Sequence, residues 1–155
     1  KQGQALRFQE EEIRPMGRSA MGVYGMRLRE GDELTSAEVV IPEADLLVAT
    51  TKGYGKRTPL EEFRPQGRYT MGVLCVGGKP HIRGPVAAAR VVEPGDEVTL
   101  LSKDGMALRG RVADIPQMGR SARGANLMDL KKGDRLASIA VLEDETKETE
   151  ESDAE

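Results

Sequence analysis

The sequence predicts an all-β, propeller-like array of three repeats, and three observations carry that expectation. The segment Arg14-Pro15-Met16-Gly17-Arg18-Ser19-Ala20-Met21-Gly22-Val23 returns at an offset of 50 as Arg64-Pro65-Gln66-Gly67-Arg68-Tyr69-Thr70-Met71-Gly72-Val73. It returns again, at a further offset of 52, as Pro116-Gln117-Met118-Gly119-Arg120-Ser121-Ala122-Arg123-Gly124-Ala125. Fourteen positions before each motif glycine stands another glycine, at Gly3, Gly53 and Gly105. No stretch sustains a 3.6-residue apolar period, and a repeat of about 50 residues is the scale of propeller blades and related arrays.

The elements follow in chain order. The first repeat, residues 1–43, starts on the hairpin-turn sequence Lys1-Gln2-Gly3 without the strand that should lead into it, the counterpart of 44–51, so a longer parent protein is expected. Within it Gly31-Asp32-Glu33-Leu34 marks a closing strand. In the second repeat, residues 44–93, the apolar and β-branched run from Ala44 to Thr51 ends at Lys52-Gly53, which is hairpin chemistry. Tyr54 to Thr58 reads as the returning strand, Pro59 and Pro65 break the chain, and Gly72 to Val76 leaves the motif loop as a third strand.

The third repeat, residues 94–142, copies this order. Glu97 to Ser102 leads into Lys103-Asp104-Gly105, Met106 to Val112 returns, Pro116 breaks, Gly124 to Met128 leaves the loop, and Asp134 to Leu142 closes. Each repeat thus reads as a roughly four-stranded antiparallel blade, with Leu47, Val73, Leu100, Leu127 and Ile139 expected in the core. Closed propellers typically need at least four blades, so three make a partial disc.

Composition narrows the class. Aromatic residues are 3% of the chain and Trp is absent, so the core must be Val, Leu, Ile, Ala and Met, which disfavours aromatic-girdled barrels and Trp-signature repeats. The longest apolar stretch, Val86 to Val92, is far short of the roughly 20 residues that cross a bilayer. With one cysteine, Cys75, and no leader-like start, the default expectation is cytoplasmic, without membrane partners.

Charge is distributed unevenly. The net charge is −3, yet residues 143–155 hold eight acidic side chains and one lysine, which leaves residues 1–142 at +4. That terminal segment is too polar to bury anything and is expected to form a disordered acidic tail. A loop that opens on Pro, carries Gly-Arg and closes on Gly can bring backbone N–H groups to a phosphate while Arg forks onto its oxygens. Contacts to the phosphate backbone of a polyanion are therefore assigned to Arg14, Arg18, Arg64, Arg68, Arg120 and Arg123, supported from the hairpins by Lys52, Lys56, Arg57, Lys103, Arg109 and Arg111. Against this, the Gly and Pro residues also serve blade geometry, and some Arg residues can pair with Glu61, Glu62 or Asp114.

Chemistry other than binding finds no footing. His81, the lone histidine, sits in a turn without a nucleophile motif, and Cys75 lies in a strand pattern. Gly53-Tyr54-Gly55-Lys56-Arg57-Thr58 lacks the third glycine of a dinucleotide loop and the spacing of a P-loop. No catalytic and no metal-ligating residue is expected.

The run Leu46 to Thr58, followed by Phe63-Arg64-Pro65-Gln66-Gly67-Arg68 and Gly72-Val73, closely resembles the repeated blade of the C-terminal domain of the bacterial DNA gyrase A protein. The topoisomerase IV A protein is the near relative. The resemblance covers all three repeats and implies a β-pinwheel, a propeller-like disc of about six blades with strand exchange, whose basic rim wraps DNA. The family's box reads Gln-Arg-Arg-Gly-Gly-Lys/Arg-Gly. Gln66 to Gly72 keeps its first, third and last positions, Met16 to Gly22 keeps Arg18 and Gly22, and Met118 to Gly124 keeps Arg120, Arg123 and Gly124, so these look like the degenerate copies of later blades.

The resemblance further implies a DNA-binding and DNA-wrapping module of a type II topoisomerase. Its partners would be double-stranded DNA, the rest of the gyrase A protein and the gyrase B protein, at the nucleoid. No cofactor is expected in this chain; ATP and Mg, like the DNA-cleaving tyrosine, belong elsewhere in that enzyme. The alternatives are a topoisomerase IV C-terminal domain and a protein-binding β-propeller scaffold. Loop Arg residues and the absence of a Trp-Asp signature favour DNA over the scaffold.

Overall fold

The computed structural model describes residues 1–143, an all-β arrangement in several open antiparallel sheets with one helical turn of α type. The first repeat contributes the short strand β1 (Gln4–Ala5). In the second, β2 (Asp45–Thr50) and β3 (Tyr54–Pro59) make a hairpin across Lys52-Gly53, in which the Gly53 N–H donates to the Thr50 carbonyl (3.0 Å). The motif loop leads to β4 (Val73–Leu74), a single turn α1 (Pro80–Arg83) begun by proline, and β5 (Val86–Val92). The third repeat supplies β6 (Glu97–Ser102), β7 (Ala107–Arg111), β8 (Ala125–Asn126) and β9 (Leu136–Leu142). A 3-10 turn follows each returning strand, at Glu10–Glu12, Leu60–Glu62 and Val112–Asp114.

The sheets do not respect the repeats. Their strand orders are β1-β4, β5-β2-β3-β8 and β7-β6-β9. Ala5 pairs with Val73 and Gly55 with Ala125, so each of these returning strands takes its outer partner from the following repeat. The roughly four-stranded blade and the strand exchange that the family resemblance implies are both present: four strands occur together in one sheet, and one of them comes from the next repeat. The cause is local. The glycines that close the motif loops, Gly72 and Gly124, have φ of +71° and +96°, and a Cβ on them would lie 2.2 Å from the Ala5 carbonyl oxygen and 2.6 Å from that of Gly55. Glycine lets the loop exit lie directly on the neighbouring returning strand.

Two further differences have physical reasons. Val86–Val92, which reads in sequence only as an apolar stretch, is a full strand because β2 offers it an edge from Asp45 to Thr50. The equivalent stretch of the first repeat, after Gly31-Asp32, forms no strand. The counterpart of β2 and β6, against which β5 and β9 are laid, has no equivalent there among the described residues. Leu34 and Val39 stay exposed beside a groove of about 560 Å³ whose lining includes Phe8, Leu34, Val40, Phe63 and Cys75.

Alternation along β2 splits the core. Leu47 and Ala49 join Val92, Val98, Leu100, Val112, Leu136 and Ile139 in one cluster, while Val48 points to Ala44, Leu60, Phe63, Cys75 and Val76 in the other. Each fully buried Leu or Val contributes about 1.5–3 kcal/mol. Leu47, Leu100 and Ile139 are buried as expected, whereas Val73 and Leu127 are half-buried, since they lie in or beside two-residue strands at the sheet margins.

Candidate nucleic-acid interface

The motif loops of the second and third repeats are each built against the repeat before them. In the second repeat the Gln66 N–H donates to the Arg7 carbonyl (2.8 Å), the Tyr69 N–H to that of Gly25 (2.7 Å), and the Arg27 N–H returns a bond to Thr70 (3.0 Å). In the third, Met118 donates to Arg57 (2.9 Å) and Gly77 to the Ala122 carbonyl (3.0 Å). The Arg residue of the motif has its own repeated partners. The backbone N–H of Arg68 donates to Glu12 Oε2 (2.8 Å) and that of Arg120 to Glu62 Oε2 (3.2 Å). Their guanidinium Nη1 atoms donate to the carbonyls of Tyr24 (2.7 Å) and Leu74 (3.3 Å), again in the preceding repeat. The expectation that these loop N–H groups point at a phosphate is therefore corrected for Arg68 and Arg120, whose N–H groups face carboxylates.

Lys56 is corrected outright. It is completely buried on β3, where its Nζ donates to the carbonyls of Gly119 and of Arg120 (2.8 Å), and no phosphate can reach it. Burial pulls its ammonium below the ordinary lysine range, partly offset by the charges of Cys75 and Glu62. Cys75 shares this interior, and burial pushes its thiol up despite Lys56 and Arg83 nearby. Thr58 completes the seat by donating to the Met118 carbonyl (2.8 Å).

The remaining cations divide by what holds them. Arg57 is partly buried, bonded to Asp45 (2.6 Å) and to the Ile115 carbonyl (2.8 Å). Arg109 pairs with Glu97, and Arg111 grips Asp114 through two bonds of 2.9 and 3.1 Å, all four at the surface. Lys52 donates to the His81 carbonyl, and the Arg123 guanidinium lies 4.7 Å over the Tyr54 ring. Arg14, Arg18, Arg64 and Lys103 are exposed, and among the described residues their side chains make no bond.

The hairpin tip of the third repeat gathers charges that lie apart along the chain. Lys103 donates its backbone N–H to the Arg135 carbonyl (2.8 Å), and Asp104 donates to Asp134 Oδ1 (3.0 Å), so Lys103 meets Lys131, Lys132 and Arg135 around one turn. The Ser102 hydroxyl, with the N–H groups of Arg135 and Asp104, holds the Asp134 carboxyl below the usual range. In sequence the signal was Lys131-Lys132-Gly133-Asp134-Arg135, a turn flanked by basic residues. Among the described residues no group of three His, Cys, Asp or Glu side chains could hold a metal ion. Nor, among them, is any helix long and apolar enough to cross a membrane.

The chain matches the family model of the DNA gyrase C-terminal domain, a beta-propeller, over residues 1–41, 44–77 and 96–143. It is 44% identical over 147 residues to the DNA gyrase A protein of Kosmotoga olearia, covering 94% of this chain and 18% of that protein. It is 40% identical over 157 residues to the DNA gyrase A protein of Mycolicibacterium smegmatis, at 98% and 18% coverage. The chain thus spans about a fifth of the curated relatives it matches. Among solved structures, a DNA gyrase A C-terminal domain superposes with a TM-score of 0.85 at 31% identity, over 91% of this chain and 48% of that one. A topoisomerase IV C-terminal domain gives 0.86 at 27% identity, over 99% and 49%. With the repeated loop exchange and these matches together, the chain belongs to the DNA gyrase C-terminal domain family.

Proposed function

We propose that this chain is a DNA-wrapping module of the gyrase A protein, which presents a bent duplex to a type II topoisomerase for strand passage and supercoiling. The observation that carries the reading is the exposure of Arg14, Arg18 and Arg64, without a protein partner among the described residues, on the motif loops of a gyrase C-terminal fold. Such side chains neutralise phosphates without reading bases, so recognition rests on charge and DNA bendability. Lys103 adds to this set at the hairpin tip, with Lys131, Lys132 and Arg135 beside it. Arg123 and Lys52 hold the neighbouring positions. Arg109 and Arg111 sit in exposed ion pairs of the kind worth about 0–1 kcal/mol, which a phosphate can replace. Arg57 is held by Asp45 and contributes last.

On this reading the three repeats, 1–43, 44–93 and 94–142, form part of a larger disc, at the nucleoid in the cytoplasm, with the gyrase B protein and the rest of the gyrase A protein as partners. ATP and Mg serve other parts of that enzyme. A salt titration with an arbitrary duplex tests it. Binding of the chain should weaken along a log–log slope of about −0.9 per phosphate neutralised, and Arg64→Ala or Lys103→Ala should each shrink that slope by about 1 without altering thermal stability. Absence of duplex binding at low salt, or binding indifferent to salt, would refute the reading.

A further inference from the structure

We infer that Arg68 and Arg120 are positioning residues, fasteners between successive repeats that set the angle of the DNA-binding surface, and that they do not contact DNA themselves. The observation is a repeated set of bonds. In both junctions the motif Arg donates its backbone N–H to the carboxylate that ends the preceding 3-10 turn, Glu12 or Glu62, which are 50 positions apart. In both, Nη1 donates to the carbonyl of an equivalent residue at the preceding loop exit, Tyr24 or Leu74, again 50 apart. One residue thus ties two elements of one repeat to the loop of the next. A guanidinium committed to a backbone carbonyl of the preceding repeat is poorly placed to neutralise phosphate.

The first repeat provides the matched comparison. Arg18 occupies the same motif position, is exposed, and reaches no carbonyl or carboxylate among the described residues. The same side chain is therefore a fastener where a preceding repeat stands beside it and a free cation where none is described. Asp114, the third repeat's equivalent of Glu12 and Glu62, is held at the surface by Arg111. The sequence motif is one, and its two uses are separated by what lies next to it.

The effect on DNA rests on the wrapping function proposed above; the fastening itself does not. Amide hydrogen exchange and a DNA titration on the whole chain read the two separately. In Arg120→Ala, the amides of Met118 and Leu127, which donate across the junction to Arg57 and Gly53, should exchange about five- to tenfold faster, the loss of roughly one hydrogen bond. Bending of a labelled duplex should fall while the log–log salt slope stays that of the unsubstituted chain. Arg120→Lys, which keeps one donor, should restore most of the protection. Arg18→Ala should leave every junction amide unchanged. A salt slope reduced by about 1 with unchanged exchange in Arg120→Ala would overturn the inference, and so would unchanged exchange together with unchanged bending. If the unsubstituted chain fails to bind DNA, the proposed function falls, while the exchange data still decide the fastening.

Discussion

Replacing Lys56 with methionine keeps the buried stem and removes the ammonium alone, which makes it a sharp test of the junction between the second and third repeats. Nζ donates to the Gly119 and Arg120 carbonyls, and methionine leaves both without that donor. The Gly119 carbonyl keeps the Ala122 N–H (3.1 Å), so only the Arg120 carbonyl is left without a donor. An unsatisfied acceptor costs about 1–3 kcal/mol, and the relief of desolvating a charge offsets part of the lost charged bonds, so the expected loss is about 1–3 kcal/mol. For a chain of this size that lowers Tm by about 3–12 °C. Lys56→Ala also deletes three buried methylenes, adding about 2.4 kcal/mol. Because burial lowers the Lys56 pKa, the folded chain releases its proton before the unfolded chain does. Between that lowered value and the ordinary 10.5, stability of the unsubstituted chain rises with pH, and its margin over Lys56→Met widens. Thermal melts from pH 7 to 10.5, with a salt titration on duplex DNA, measure both effects. A Tm within about 2 °C of the unsubstituted chain and a salt slope reduced by about 1 would refute the burial and return Lys56 to the surface.

Other perturbations separate contact from conformation. Gly124→Ala meets both a positive φ and the Gly55 carbonyl, and should cost about 2–5 kcal/mol in chemical denaturation, whereas Gly22→Ala, with φ of +86° and nothing within 4 Å, should cost only the backbone strain of about 1–2 kcal/mol. Equal losses would show that the loop exit is not pressed on β3. The Cys75 thiol should resist DTNB until the chain unfolds. Its raised pKa gives stability that is present below the ordinary 9.0 and lost as pH climbs through the folded value, so the advantage over Cys75→Ala should shrink above pH 9; a gap that does not move with pH contradicts this. Residues 144–155 lie outside the described residues, and the acidic tail is a proposal from charge: deleting them should raise DNA affinity at low salt, with the gain fading as screening sets in over about 10 Å at 0.1 M, and unchanged affinity would leave the tail without that role.

Hairpins were legible because their signals are local. The run from Glu97 to Ser102 is β6 residue for residue, since alternation and a closing Lys103-Asp104-Gly105 turn decide it within a few positions. The exchange of β8 onto β3 follows from the family resemblance and not from periodicity, because a partner in the next repeat leaves no local trace. Lys56 misled because Gly55-Lys56-Arg57 reads as a basic strand edge. A signal was nonetheless present: at offsets of 50 and 52 its equivalents are the apolar Leu6 and Leu108, although Leu108 itself is exposed, whereas Arg57 aligns with Arg7 and Arg109. The free Arg18 could not be told from the fastened Arg68 and Arg120 in sequence, because the three share one motif position and the difference lies in the neighbouring repeat.

Borrowed strands also impose an order in time. During synthesis Gly55 leaves the ribosome a full repeat and more ahead of Ala125, its partner across the sheet. At about 5–20 residues per second, the outer edge of β3 stays unpaired for roughly 4–14 s, and Lys56 waits as long for the carbonyls that receive its ammonium. Each repeat is thus finished by its successor, and a nascent chain always carries one open edge at its growing end. Exposed edges recruit other strands, so ribosome stalling within residues 94–124 leaves the outer edge of β3 open to them, and stopping after 142 moves that exposure to β7.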